Sequence, residues 1–395
     1  MSDPLYRRRE VLGASVGAAV ALGFGAAFWQ GAFDTGDGGP PPRGESYGAL
    51  GDVDANGLRL PAGFEARLVA RGEETVEGTD YAWHLASDGA ATFSADGGWI
   101  LVSNSEVPEG GASAIRFGAG GEIEDAYRIL EGTAQNCSGG PTPWGTWLSC
   151  EEIEAGRVWE CDPTGERPAQ VHEAMGVFYH EAVAVDPLGR QVYLTEDLDD
   201  GAFYRYTPER WPDLSSGLLE AARVADGGAV EWVEVPDPNA ADEPTRSQVS
   251  DTGHFERAEG IWFDAGTVYV ATTINARIHA YDTAAERVEV IYDGLAVEDP
   301  PLLRVDNITA SPVGELFVCE DSEAEEIRLG VMTQDRTVTP FLVATGENHL
   351  ASELTGPAFD PSGSRFYFTS QRANQGQGEV YEVTGPFRGR RRSGS

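Results

Sequence analysis

The stretch Asn136-Cys137-Ser138-Gly139-Gly140-Pro141-Thr142-Pro143-Trp144-Gly145-Thr146-Trp147-Leu148-Ser149-Cys150-Glu151-Glu152 joins a glycine- and proline-rich segment to a short apolar run that ends on two carboxylates. Ser138 to Pro143 reads as a turn that continues neither a helix nor a ladder, and Trp144 to Cys150 has the aromatic and β-branched content of a strand. A cysteine beside two glycines is, on its own, most simply a buried thiol in a tight turn. Repetition changes that reading. Apolar runs ending in a polar or acidic pair recur at residues 98–106, 145–152, 190–197, 266–273, 314–321 and 364–371. They start roughly 45 to 50 residues apart, with one interval of about 76, which is the spacing of four-stranded propeller blades. The fold expected is all-β, a six-bladed β-propeller over residues 51–385 with an insertion between the third and fourth repeats.

A small polar segment precedes each run: Asp88-Gly89, Asn136-Cys137, His180-Glu181, Glu259-Gly260, Asp306-Asn307 and Thr355-Gly356. Equivalent loops of a propeller lie at one level of one face, so these residues are expected to converge on the central channel. Any one of them alone would be a turn residue bonding its own backbone. In register, with carboxylates, a thiol, an imidazole and an amide among them, they predict a shared metal site. The long third interval holds residues 213–225, read as a short helix, and then a polar loop through Asn239, Asp242, Glu243 and Arg246 to His254 that should lie over the channel mouth or on its rim. It delivers Arg257 two residues before Glu259. A guanidinium beside a cation cluster calls for an anion between them, and bidentate phosphate or carboxylate is what arginine holds best.

With 49 glycines and 23 prolines spread along 395 residues, the composition suits many short strands. The 65 acids against 28 bases give a net charge of −37, and all the bases are arginine, which argues against nucleic acid as a partner. At the N-terminus Arg8-Arg9 precedes an apolar run from Gly13 to Phe28 that has the character of a twin-arginine export signal. Residues 1–33 are therefore read as a signal or anchor that engages the twin-arginine machinery, with membrane contact only if the segment is retained. Export would place the protein in the periplasm, on the cell surface or outside the cell. Residues 34–50 read as a flexible linker and residues 386–395 as a disordered basic tail. Of four cysteines, Cys150 and Cys161 are the pair considered for a disulfide.

The block at residues 136–152, His180-Glu181-Ala182 with Thr195-Glu196-Asp197, Arg257-Ala258-Glu259-Gly260, and Asp306-Asn307-Ile308 leading to Cys319-Glu320-Asp321 resemble the PhoX family of twin-arginine-exported alkaline phosphatases. The resemblance spans about residues 50 to 385 and implies a propeller whose mouth holds Fe3+ and Ca2+. It implies Cys137 as a thiolate iron ligand, Glu181 and Glu259 as carboxylate ligands, and Asn136 and Arg257 as holders of the phosphoryl oxygens. Asp306, Glu151, Glu196, Glu320 and Asp321 would be calcium ligands or their immediate supports, and His180 either an acid–base group or an orienting one. His84, Asp88, Asn104 and Glu106 fall where this chain departs from the family pattern. The implied chemistry is hydrolysis of a small phosphorylated substrate, a phosphate monoester, at cations that polarise the phosphoryl oxygens. A calcium-dependent lactonase or phosphodiesterase, or a non-catalytic calcium-stabilised binding propeller, are the competing readings; a thiol among the ligands argues against a purely calcium enzyme.

Overall fold

The computed structural model describes residues 46–252, 255–322 and 324–389. The signal or anchor segment, the linker up to residue 45, and the tail from residue 390 lie outside the described residues, as does His254. The described chain forms six antiparallel sheets of four or five strands, arranged as the blades of a propeller. Blade one is built from Ser87–Ala95, Gly98–Ser105, Gly111–Gly118 and Ile123–Leu130. The innermost strands of the other five are Asn136–Pro141, His180–Asp186, Ala258–Asp264, Val305–Ala310 and Leu354–Phe359, in that order. The ring closes because the early strand Glu65–Arg71 pairs with Glu379–Thr384 as the outer strand of blade six. Sequence-distant segments thus complete one sheet.

Each blade is covered on both faces by its neighbours, so the core lies between sheets. Phe317, Phe341, Phe359 and Phe366 interlock between blades five and six, with Phe317 about 5 Å from each of the others at edge or tilted geometry. Aromatic pairs at such angles add to the area they bury. A second cluster between blades two and three joins Leu148, Val183, Leu194 and Tyr204. Among the described residues no helix is long and apolar enough to cross a membrane.

Three local expectations are corrected. Residues 213–225 are not a helix: Asp213–Val224 is a strand paired with Phe203–Arg210 and with an added fifth strand, Val230–Glu234. The insertion is spent on this long hairpin and on the loop after it, which returns along the rim, where Phe255 N donates to Gly201 O and Arg257 N to Leu198 O. Ser138 to Pro141 is also not a turn, since Asn136–Pro141 is the inner strand of blade two. All four cysteines are free and buried, so Cys150 and Cys161 form no disulfide.

One device repeats in all six inner strands. Their pairing to the second strand is interrupted by a register shift: between Ser87 and Ala90, Asn136 and Gly139, His180 and Val183, Ala258 and Ile261, Val305 and Ile308, and Thr355 and Ala358. A bulge re-aims side chains that a regular ladder would turn into the sheet. Here it lies at the same level in every blade, and the six bulges ring the channel mouth. Adjacent inner strands then approach backbone to backbone: a Cβ on Gly89 would lie 2.5 Å from Ser138 Cα, and one on Gly260 would lie 2.6 Å from Asn307 Cα. Glycine is required for that contact, not for a special φ.

Gly260→Ala should therefore push blades four and five apart. We expect a lower melting temperature than wild type, read by thermal melts of the two proteins side by side. An unchanged melt would show that the close approach is dispensable.

Candidate metal and phosphate site

The register of each inner pair defines two tiers. The residue that follows the first paired residue of each inner strand gives a lower ring: Asp88, Cys137, Glu181, Glu259, Asp306 and, in blade six, Thr355. The residue that follows the last paired residue of each second strand gives an upper ring: Glu106, Glu152, Asp197, Thr273, Asp321 and Gln371. Three groups in these rings have ligand atoms within 4.8 Å of one another: Asp88, Glu106 and Cys137; Cys137, Glu152 and Glu181; and Glu181, Glu259 and Asp306. They overlap through Cys137 and Glu181, so the cluster is one connected set.

Glu181 tests whether the set suits cations. Its carboxylate is fully buried and neither oxygen has a hydrogen-bond partner among the described residues. A buried carboxylate in that condition costs several kcal/mol unless it is neutralised. Burial, then the charges of Glu259 and Glu152, push its pKa well up. Burial, then nearby carboxylates, likewise raises Asp88 (Glu106 and Asp306) and Glu259 (Asp197 and Asp306), brings Asp306 to about 8 (Asp321) and brings Glu152 to about 9 (Asp197 and Glu106). Burial, then Asp88 and Glu181, hold the Cys137 thiol protonated. A positive ion would reverse every one of these shifts. Thiolate with carboxylate suits a transition metal such as iron, and carboxylates alone suit calcium.

The remaining groups brace this set. Gln371 Nε2 donates to Asp88 Oδ2 at 2.6 Å and to Glu106. Asn104 Nδ2 donates to Ser138 O at 2.7 Å and Cys137 O at 3.2 Å, fixing the bulge that carries the thiol. Arg257 makes a two-pronged contact with Asp197 at 2.8 and 2.7 Å and lies 2.7 Å from Glu259 and 3.7 Å from Asp321. Its backbone is left-handed at φ +49° and its side chain is 28% exposed, so it stands at the rim with a locked direction. Buried Glu353 pairs with Arg372 at 3.0 Å.

Of the residues anticipated from sequence, Cys137, Glu181, Glu259, Asp306, Asp321 and Arg257 meet at the mouth. Glu151, Glu196 and Glu320 do not join it. Glu151 accepts from Ala134 N and Trp159 Nε1, Glu196 from Ala202 N and Tyr204 Oη, and Glu320 from Leu303 N and Arg328 N. They staple the loops of their own blades, and the next residue of each pair faces the mouth instead, as strand alternation requires. Asn136 is likewise spent: Thr133 Oγ1 donates to its Oδ1 at 2.6 Å and its Nδ2 donates to Ser149 Oγ at 2.9 Å. His180 is buried against Phe178 with Nε2 donating to Gly176 O at 3.0 Å, and burial lowers its pKa to about 3 and favours the neutral imidazole. His84 is held between Ser113 and Ser87. Glu152, Asp197, Glu353, Gln371 and Arg372 complete the mouth. For the first two the signal was present, in the alternation that separates the members of each acidic pair.

The family model of alkaline phosphatase PhoX matches residues 108–159 and 153–294, which include Cys137, Glu152, Glu181, Asp197, Arg257 and Glu259. The vanadate complex of PhoX from Pseudomonas fluorescens, in which vanadate is described as a transition state analogue, superimposes with a TM-score of 0.70 at 15% identity, covering 84% of this chain and 96% of that one. A structural genomics protein of unknown function from Bacteroides thetaiotaomicron gives 0.52 at 8% identity, covering 81% and 76%. At these identities the two structures speak for the fold. No curated protein matches the chain in sequence.

The raised carboxyl pKa values fix the sign of a pH effect. Without cations each such group contributes stability that is fully present below its ordinary value of 3.8 or 4.5 and is lost as pH rises through the folded values of about 8 for Asp306 and about 9 for Glu152. The melting temperature of chelator-stripped protein should fall between about pH 5 and pH 9, and added calcium should flatten the slope. A stripped protein whose melting temperature is level across that range would contradict the cluster.

Proposed function

We propose, from the match of the alkaline phosphatase PhoX family model to residues 108–159 and 153–294, that the chain is an exported phosphatase that hydrolyses phosphate monoesters at an iron- and calcium-loaded channel mouth. The observation that carries this reading is the partnerless Glu181 carboxylate inside a connected set of thiol and carboxylate ligands. Cys137, with Glu152 and Glu181, would hold iron, and Glu181, Glu259 and Asp306, with Asp88 and Glu106, would complete the calcium shell. Bound cations supply Lewis-acid polarisation of the phosphoryl oxygens and an activated oxygen nucleophile.

The chain's own part is positioning. Arg257 is aimed by the Asp197 and Glu259 carboxylates, so its guanidinium needs no reorganisation to meet charge that develops on phosphoryl oxygens. Gln371 and Asn104 hold Asp88 and the Cys137 bulge in place. His180, enclosed against Phe178 with Nε2 donating to Gly176 O, would act by orienting the strand that carries Glu181.

The test is turnover of a chromogenic phosphate monoester. Arg257→Gln should lower kcat/KM by about 10²- to 10³-fold, the usual effect of losing one oriented donor to the transition state. Cys137→Ser should lose iron and turnover together. Calcium without iron and no turnover in the wild-type protein would leave a calcium-stabilised binding propeller. Export is proposed from Arg8 and Arg9, and changing both to Lys should retain the protein in the cytoplasm; unaltered export would refute that route.

A further inference from the structure

Asp321 is bracketed by three arginines from three blades. Arg257 of blade four lies 3.7 Å from Oδ2, Arg304 of blade five donates to Oδ2 at 2.8 Å, and Arg372 of blade six lies 3.9 Å from Oδ1. Arg257 is the one assigned above to the phosphoryl group. Arg304 occupies in blade five the place that Arg257 has in blade four: each immediately precedes its inner strand in the left-handed region, at φ +47° and +49°. Ala86 and Gln135 share this backbone conformation in blades one and two, so it is a property of the fold, and what differs is the side chain it presents at the rim.

These two further arginines differ from Arg257 in how much of them is committed. Arg257 is 28% exposed, whereas Arg304 and Arg372 are 46% and 47% exposed. Arg304 spends Nε and Nη2 on Asp321, leaving Nη1 without a protein partner among the described residues. Arg372 places Nη1 on Glu353 and Asp321, with no hydrogen bond from Nε or Nη2 among the described residues. The guanidinium groups of Arg257, Arg304 and Arg372 gather at one side of the mouth, and the exposed edges of Arg304 and Arg372 present N–H donors that an anion can meet.

We propose that Arg304 and Arg372 form a second oxyanion subsite beside Arg257, which selects phosphate monoesters whose leaving group carries a carboxylate or a further phosphate. The inference rests on the phosphatase reading for its meaning, and deepens it by giving the substrate class. Asp321 fixes the subsite relative to the phosphoryl arginine, because all three guanidinium groups contact the one carboxylate. The planar, multi-donor edge of arginine suits either oxyanion.

The experiment is calorimetric binding of two phosphonates that cannot turn over, 3-phosphonopropanoate and propylphosphonate, to the metal-loaded full chain at one free calcium concentration. The wild-type protein should prefer the carboxylated ligand by about tenfold or more, as expected of a charge-assisted contact. In the Arg304→Gln/Arg372→Gln double variant the two dissociation constants should come within about twofold, and in Arg304→Glu/Arg372→Glu the order should invert. Arg257→Gln should weaken both ligands and leave the ratio in place. A wild-type ratio near one, or a ratio that survives in both double variants, overturns the subsite. Absence of turnover on any phosphate monoester would instead overturn the phosphatase reading, which the ratio does not report.

Discussion

Mutual repulsion among buried acids at the channel mouth is the constraint on which the structure turns. Asp88, Glu181, Glu259 and Asp306 are buried and Glu106 and Glu152 half-buried around the Cys137 thiol, and each raises the cost of ionising its neighbours. Hydrophobic packing cannot remove that cost, and the arginines meet only part of it. Arg257 serves Asp197 and Glu259, while Arg372 serves Glu353. Glu181 is left with nothing. A fold that gathers such groups in its interior is organised for positive ions.

The propeller makes this arrangement possible by separating stability from function. Its cores lie between blades, where Phe317 and its ring partners or Leu148 and Val183 pack, and the axis is left to polar chemistry. The six bulges aim one residue per blade at the axis, and glycines such as Gly89 and Gly260 let neighbouring inner strands close until those residues share ligands. Hydrogen bonds from Gln371 and Asn104 then remove the freedom that would let the ring relax outward. Rigid elements hold a site more accurately than mobile loops do.

Much of this was legible in the sequence because it repeats. Six strand ends in register gave the blade count, and the polar residue before each gave most of the lower ring. What failed was parity: Glu151, Glu196 and Glu320 looked equivalent to their neighbours, but strand alternation turns them into their own blades and sends Glu152, Asp197 and Asp321 to the mouth. Asn136 and His180 sit beside true mouth residues and were misjudged for the same reason, one side chain being turned into a hydrogen-bond chain and the other against Phe178. Arg372 and Glu353 carried no repeat signal, and Gln371, which ends the sixth run, is an amide where four of the other runs end on an acid. The strand at Asp213–Val224 was concealed by good helix formers such as Leu218, Leu219, Glu220, Ala221 and Ala222, whose propensity yields to the long hairpin they complete.

Metal quantitation on the purified full chain after exhaustive dialysis at neutral pH tests the central claim most directly. The account predicts that iron and calcium are both retained in the wild-type protein, and that Glu181→Ala loses both because that carboxylate belongs to two of the three ligand groups. A folded wild-type protein that carries neither metal under those conditions would contradict it.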